Sequence, residues 1–190
     1  MGNALPGLVG IEAARSVFRA ARLESLFDTP PQEMVDERDV RRLHDAVRNA
    51  FAPALAQAVL AAAGRRTGDY LLAHRIPRPA QVMLRVLPSP ASGRLLAGAI
   101  RRHAWTFAGS GEFTVIAGRP LLLEIRRNPV CSKASTADPR CFFFAATFQR
   151  LFERLVDPLA IVIESECEAR GAGACRFRVS FGRASAVALT

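Results

Sequence analysis

Residues 141–155, CFFFAATFQRLFERL, and residues 159–181, LAIVIESECEARGAGACRFRVSF, decide the fold. In the first, Phe144, Phe148, Leu151, Phe152 and Leu155 recur at three- and four-residue steps, which puts one apolar stripe on an amphipathic helix. In the second, LAIVIESEC and CRFRVSF have strand character. They flank EARGAGA, whose Gly171 and Gly173 supply a turn, so the segment reads as a β-hairpin.

Upstream, residues 105–129, WTFAGSGEFTVIAGRPLLLEIRRNP, predict two strands, Trp105–Phe107 with Phe113–Ala117 and then Leu121–Arg126, with turns at Gly109, Gly111, Gly118 and Pro120. CSKASTADPRC, residues 131–141, is a loop. Residues 80–104 predict two helical pieces split at LPSPASG, the second with Leu96, Ala99, Ile100 and His103 on its apolar face. Residues 8–26 have helical period, with Val9, Ala13, Val17 and Ala20 on one face. FDTPPQEMVDE breaks that pattern at Pro30 and Pro31. A further helix starts near Glu37, with Pro53 as a boundary or kink, Gly64 as a C-cap and a short helix over Tyr70–Arg75 after it. The expected class is α+β: a mostly helical N-terminal half, and a small antiparallel sheet packed on helices in the C-terminal half.

The 190 residues are 50% hydrophobic and 23% charged, with a mean hydropathy of +0.13. That is globular, and too short for a dinucleotide domain plus a substrate domain. No apolar run approaches the roughly 20 residues of a spanning helix. The start, MGNALPGLVGIEAAR, has no basic segment before its apolar stretch, so the expected location is cytoplasmic, with peripheral association at the inner membrane. The formal charge is +9, carried almost wholly by arginine; Lys133 is the single lysine. Arginine favours bidentate pairing with carboxylate or phosphate, although a solvated basic surface is the plainer account of the charge.

Four cysteines, Cys131, Cys141, Cys167 and Cys175, point to metal or redox chemistry before disulfides in such a chain. Cys167 and Cys175 bracket the hairpin turn. Cys141 precedes the phenylalanine-rich helix, whose N-terminal dipole favours a thiolate. With Glu164 these make three thiolates and a carboxylate, a closed tetrahedral set for a structural zinc. Buried thiols without metal, or a Cys167–Cys175 disulfide, are the alternatives. Glu164 and Cys167 are an odd number of residues apart along a strand and should face opposite sides unless the strand ends or bulges between them; Glu166 is the fallback ligand.

The helix with its leading Cys, followed by Glu-x2-Cys-x7-Cys and the aromatic Phe177, resembles the signature of the 4-vinyl reductase domain family over roughly residues 55–185. The resemblance implies an α+β fold related to subunits of the TRAPP trafficking complex, a dimer, and a ligand-binding domain over 55–190 after an N-terminal helical segment over 1–54. In aromatic-sensing members the matching Cys, Glu, Cys and Cys hold a structural zinc. Carried over, this implies Cys141, Glu164, Cys167 and Cys175 as ligands and leaves Cys131 outside the set. RRHAWTFAGSGEF, residues 101–113, is similar to the bacteriochlorophyll-synthesis branch, which implies a magnesium porphyrin of the protoporphyrin type as ligand and enzymes of that synthesis as partners.

Such a ligand is a flat apolar disc with two carboxylates and a metal that accepts an axial ligand. Trp105, Phe107, Phe113, Phe144 and Phe148 are the candidate slot. Arg101, Arg102, Arg126 and Arg127 are candidates for the carboxylates, and His103 for the axial ligand. The plain alternatives are core phenylalanines, solvated arginines and a satisfied core histidine. His44 reads as surface, and His74 as a helix-end residue. A vinyl reductase needs an electron or hydride donor, and the sequence has no GxGxxG after a strand, no P-loop and no iron–sulfur spacing. The expected function is therefore a non-catalytic carrier, with a vinyl reductase or a dimeric interaction module as alternatives. Nucleic-acid binding rests on charge alone and is not expected.

Overall fold

The computed structural model describes residues 4–29, 31, 33–131 and 134–182. Pro30 of the expected break, the single lysine Lys133, and the first and last residues of the chain, where the two domain ranges begin and end, lie outside the described residues.

The N-terminal period is not one helix. It is cut into α1 (Pro6–Val9), α2 (Ile11–Ala20) and α3 (Glu24–Asp28): Gly10 takes φ 85° between the first two, a turn that suits glycine, and Arg22 takes φ 57° between the second and third. The buried face of α2 is Ala14, Val17 and Phe18, so of the four expected residues only Val17 is fully buried. Helix α4 (Glu37–Ala50) starts at Asp36, whose carboxylate accepts the Arg38 N–H at 2.7 Å. Pro53 opens a new helix, α5 (Pro53–His74), at a position where its missing N–H costs nothing. Gly64 is not the end of that helix but its interior, and the stretch from Tyr70 is its last turn. Helices α6 (Arg78–Val86) and α7 (Ser89–Arg102) follow, split at Leu87–Pro88 as the proline predicts.

Trp105–Phe107 is not a strand. The N–H groups of Thr106, Phe107 and Ala108 turn back onto the carbonyls of His103 and Ala104, so the segment continues α7 as a 3₁₀ turn over Ala104–Thr106. Strands β1 (Glu112–Ile116), β2 (Leu121–Arg126), β3 (Ile161–Glu166) and β4 (Cys175–Ser180) match the other expected strands. They form one antiparallel sheet in the order β1-β2-β4-β3. Helix α8 (Phe142–Leu155) lies on one face of it, with all five expected core residues buried.

The inner face of the sheet, Phe113, Leu123, Ile125, Phe177 and Val179, packs on Phe144, Phe148 and Phe152 of α8. On the opposite face Glu124 is covered by the Arg126 and Arg176 side chains, whose Nε atoms donate to it at 2.7 and 2.6 Å. A second core gathers α2, α4 and the first half of α5 around Val17, Phe18, Val47 and Leu60. Helix α5 joins the two cores, because it also runs along α8.

That α5–α8 contact is close because α5 presents glycine. A Cβ on Gly64 would collide with the Phe143 carbonyl, and one on Gly68 would come 2.7 Å from Arg150 Cβ. Thr147 bridges the seam by donating to the carbonyls of Gly64 (3.0 Å) and Phe143 (2.8 Å). Gly64→Ala should lower unfolding stability by about 3 kcal/mol, because backbone cannot move aside for the added methyl. Gly98→Ala, in α7 with open space around the Cβ, should be neutral or stabilise by about 0.5–1 kcal/mol. Urea denaturation of the two variants reads the difference.

Candidate metal centre

Three separate segments bring the four cysteines together. Cys131 ends a tight turn after β2, where its N–H bonds the Asn128 carbonyl at 3.0 Å. Cys141 is the N-cap residue of α8. Cys167 follows β3, and Cys175 begins β4. All four thiols are buried and unpaired by disulfide, and their sulfurs lie within 4.8 Å of one another. Cys131 Sγ is 3.4, 3.7 and 3.6 Å from the sulfurs of Cys141, Cys167 and Cys175, and Cys141 Sγ is 3.5 Å from that of Cys175. Four sulfurs at about 2.3 Å from one zinc stand about 3.8 Å apart, so these separations are close to the edges of a tetrahedral thiolate site. The donor set could hold such an ion with no coordination position left for water.

Polar groups around the sulfurs are arranged as donors to thiolate. Asn128 is fully buried; its Nδ2 donates to Cys141 Sγ at 3.3 Å, and its Oδ1 accepts the Val130 N–H at 3.1 Å. The Glu168 N–H donates to Cys175 Sγ at 3.4 Å. The Glu168 carboxylate closes the arrangement from outside by accepting the N–H groups of Arg127 (2.6 Å) and Asn128 (2.7 Å). N–H groups aimed at thiolate sulfur orient the ligands and spread their charge. Contact with the other three thiols, and then burial, pushes the Cys141 thiol well above its ordinary range. Within the same cluster the contacts with the other three thiols hold the Cys167 thiol below its ordinary range. A dication at the centre would offset the repulsion among further thiolates.

Glu164 lies beside this cluster. Its Oε2 accepts the Cys141 N–H at 2.9 Å, while its Oε1 is buried without a hydrogen-bond partner among the described residues. Burial first, and the negative charge of Cys167 second, push its carboxyl up to about 8. It reaches the same side as Cys167 because the β3–β4 register shifts between Glu164 and Glu166. Glu166 points the other way and pairs with Arg176 at 2.8 Å. The structure thus brings together all four residues of the expected set and adds Cys131, which the resemblance leaves outside it. The signal available for it in the sequence is the compact Asn128-Pro129-Val130-Cys131 turn directly after a strand. Asn128 and Glu168 carry no comparable signal.

Of the aromatic set, Phe107, Phe113, Phe144 and Phe148 touch one another, with ring centroids 5.4–6.4 Å apart. Phe113, Phe144 and Phe148 are buried and Phe107 is half-buried. Trp105 stands apart from them, 66% exposed. His103 is the exposed C-cap of α7 rather than part of a buried face, and its Nδ1 lies 3.0 Å from the Ala99 carbonyl. Arg101 and Arg102 are exposed beside it. Arg126 is engaged with Glu124, and Arg127 lies 3.8 Å from Glu112. His44 is not on the surface. It is 1% exposed, set edge-on to Phe143, and burial holds its imidazole well below the usual range and neutral. Its helix turns that side inward because Leu43, Ala46 and Val47 are buried there too.

Residues 121–181, which carry three of the four strands and α8, match the 4-vinyl reductase domain family. The chain is 49% identical over 150 residues to the bacteriochlorophyll synthase 23 kDa chain of Cereibacter sphaeroides, spanning 79% of this chain and 72% of that one. It is 44% identical over 160 residues to the protein of the same name from Rhodobacter capsulatus, spanning 84% and 74%. Among solved structures, one from a study of heme distortion in the H-NOX family superimposes with a TM-score of 0.60 over 95% of this chain and 90% of that chain. At 13% identity this is a likeness of fold.

Proposed function

The chain belongs to the family of the bacteriochlorophyll synthase 23 kDa chains and acts in bacteriochlorophyll biosynthesis, and on that premise we propose that it binds and carries a magnesium porphyrin without converting it. The observation that carries this reading is the identity to those chains over most of the length. The surface turn after α7 supports it. Within residues 101–107 the turn offers two arginines with no ion-pair partner among the described residues, an exposed imidazole at His103, an exposed indole at Trp105, and Phe107 leading into the buried phenylalanine cluster. These are the groups that pair with ring carboxylates, ligate magnesium and cover a flat apolar face. The partners in this reading are the pigment and enzymes of its synthesis, and the work site is the cytoplasmic face of the inner membrane.

We propose in addition that one structural zinc is held by Cys131, Cys141, Cys167 and Cys175, with Glu164 bonded to the Cys141 N–H beside it. The ion clamps the β3–β4 hairpin to the start of α8. Elemental analysis should give one zinc per chain, lost together with cooperative melting in Cys131→Ser and kept in Glu164→Gln. The reverse pattern would return the fourth position to Glu164. A metal-free wild type that melts at the same temperature with and without chelator would remove zinc altogether.

The protein is proposed to be a homodimer through its N-terminal helices, where Ile11 and Leu55 are 61% and 46% exposed. Light scattering at micromolar concentration reads this directly, and a monomer contradicts it.

The carrier reading is tested by titrating magnesium protoporphyrin and the metal-free ring into wild type and variants. His103→Ala should weaken the magnesium form about tenfold and the metal-free ring less, because only the former loses a ligand bond. Trp105→Ala should weaken both about equally, since a face contact does not involve the metal. Neither ring binding to wild type would end the reading.

A further inference from the structure

Between Asp69 and Glu112 the chain contains no acidic residue and six arginines: Arg75, Arg78, Arg85, Arg94, Arg101 and Arg102. This acid-free stretch forms the last turn of α5, all of α6 and α7, and the 3₁₀ turn. Such segregation of charge is not needed for folding, since α6 packs inward chiefly through Leu84.

The outward side of α6 is apolar. Val82, Met83 and Val86 are 58%, 47% and 75% exposed. Arg78, Val82 and Val86 are spaced at four-residue steps and so share one row. Isolated exposed aliphatics are ordinary, but three on one short helix beside an unbalanced field of cations are a surface in search of two kinds of contact.

The second feature is a cavity of about 170 Å³ where α7 begins. Pro90 and Arg94 of α7, the Gly118–Pro120 turn between β1 and β2, and the Arg178–Phe181 end of β4 line it. Three arginines, Arg94, Arg119 and Arg178, line it from three parts of the chain, and none has a carboxylate partner among the described residues. Among the described residues, no acidic side chain lines the cavity. Its space suits one phosphate group, and arginine pairs with phosphate in a bidentate fashion. Val86 lies four residues before the cavity-lining Pro90 in the chain, joined to it by the Leu87–Pro88 link between α6 and α7.

We propose that the α6–α7 hairpin and this cavity form a docking surface for an anionic lipid bilayer. The cavity seats a lipid phosphate through Arg94, Arg119 and Arg178, and Val82, Met83 and Val86 enter the headgroup layer. A second copy of the chain does not fit, because a two-fold contact would set these arginines against themselves. A nucleic acid would engage the cations and leave the aliphatic row exposed. The proposal deepens the carrier reading, since it supplies a place to receive a membrane-soluble cargo. Vesicle binding is read without pigment, so either can fail alone.

The test is co-sedimentation of the full chain with vesicles of phosphatidylcholine, or of phosphatidylcholine mixed with phosphatidylglycerol. The chain should bind the mixed vesicles only and be released as ionic strength rises. Arg94→Gln, Arg119→Gln and Arg178→Gln should each reduce partitioning about fivefold, the effect of one basic side chain at such a surface. Val86→Asp should reduce it further, and Arg19→Gln, on α2, should leave it unchanged. All five positions are exposed, and circular dichroism checks that the variants fold. Equal binding to both vesicle types, no binding to either, or wild-type affinity in the arginine variants overturns the proposal. Inorganic phosphate that displaces the protein beyond the effect of chloride at equal ionic strength makes the cavity a soluble-anion site. Arginine-dependent binding to duplex DNA in place of vesicles reassigns the surface to nucleic acid.

Discussion

Four buried thiols meeting at one point constrain more of this molecule than any other contact. They come from the turn after β2, the cap of α8 and both sides of the β3–β4 hairpin, segments that are otherwise far apart in sequence. With those points joined, α8 must lie across the inner face of the sheet, and its Phe144, Phe148 and Phe152 enter the core. Thiols packed this closely in a dry site are costly on their own, and their neighbours lower that cost. The helix N-terminus, the Asn128 amide and the Glu168 N–H group all favour thiolate. Removing a buried partner such as Asn128 would leave both Cys141 and Val130 without it, which is why an asparagine is held at full burial here.

The C-terminal half is the more legible part because its patterns are local. The stripe of α8 and the two glycines of the hairpin turn are set by residues within a few positions of one another. Sequence and structure part where a long-range contact overrides a local preference. Gly64 reads as a helix end because glycine often ends helices, yet it stays in α5 because α8 needs backbone access there. Trp105–Phe107 has aromatic strand composition, but the carbonyls of His103 and Ala104, just past the end of α7, capture the N–H groups of Thr106 and Phe107. His44 sits among arginines in sequence, while burial is decided by the helix face it shares with Leu43 and Val47. Cys131 has no short-range partner, and only the closed turn at Asn128 carries it to the other sulfurs.

Charge and apolar surface are distributed in a way that separates stability from recognition. The clustered cysteines and phenylalanines are inside and satisfied by their neighbours. The arginines of the stretch between Asp69 and Glu112 remain outside, beside exposed Val86 at one end of α7 and exposed Trp105 at the other. A helix of this length spans about 21 Å. The two ends are therefore distinct surfaces, one offering aliphatic and guanidinium contacts and the other an indole and an imidazole. The carrier reading proposed for this protein uses one of them to hold cargo and the other to meet a donor.

The most direct measurement of the central arrangement is X-ray absorption at the zinc edge of the purified protein. The account predicts a first shell of four sulfurs at about 2.3 Å with no oxygen or nitrogen scatterer. A shell of three sulfurs and one oxygen would place Glu164 in the coordination sphere instead of Cys131. An absence of bound zinc would contradict the account of what joins α8 to the sheet.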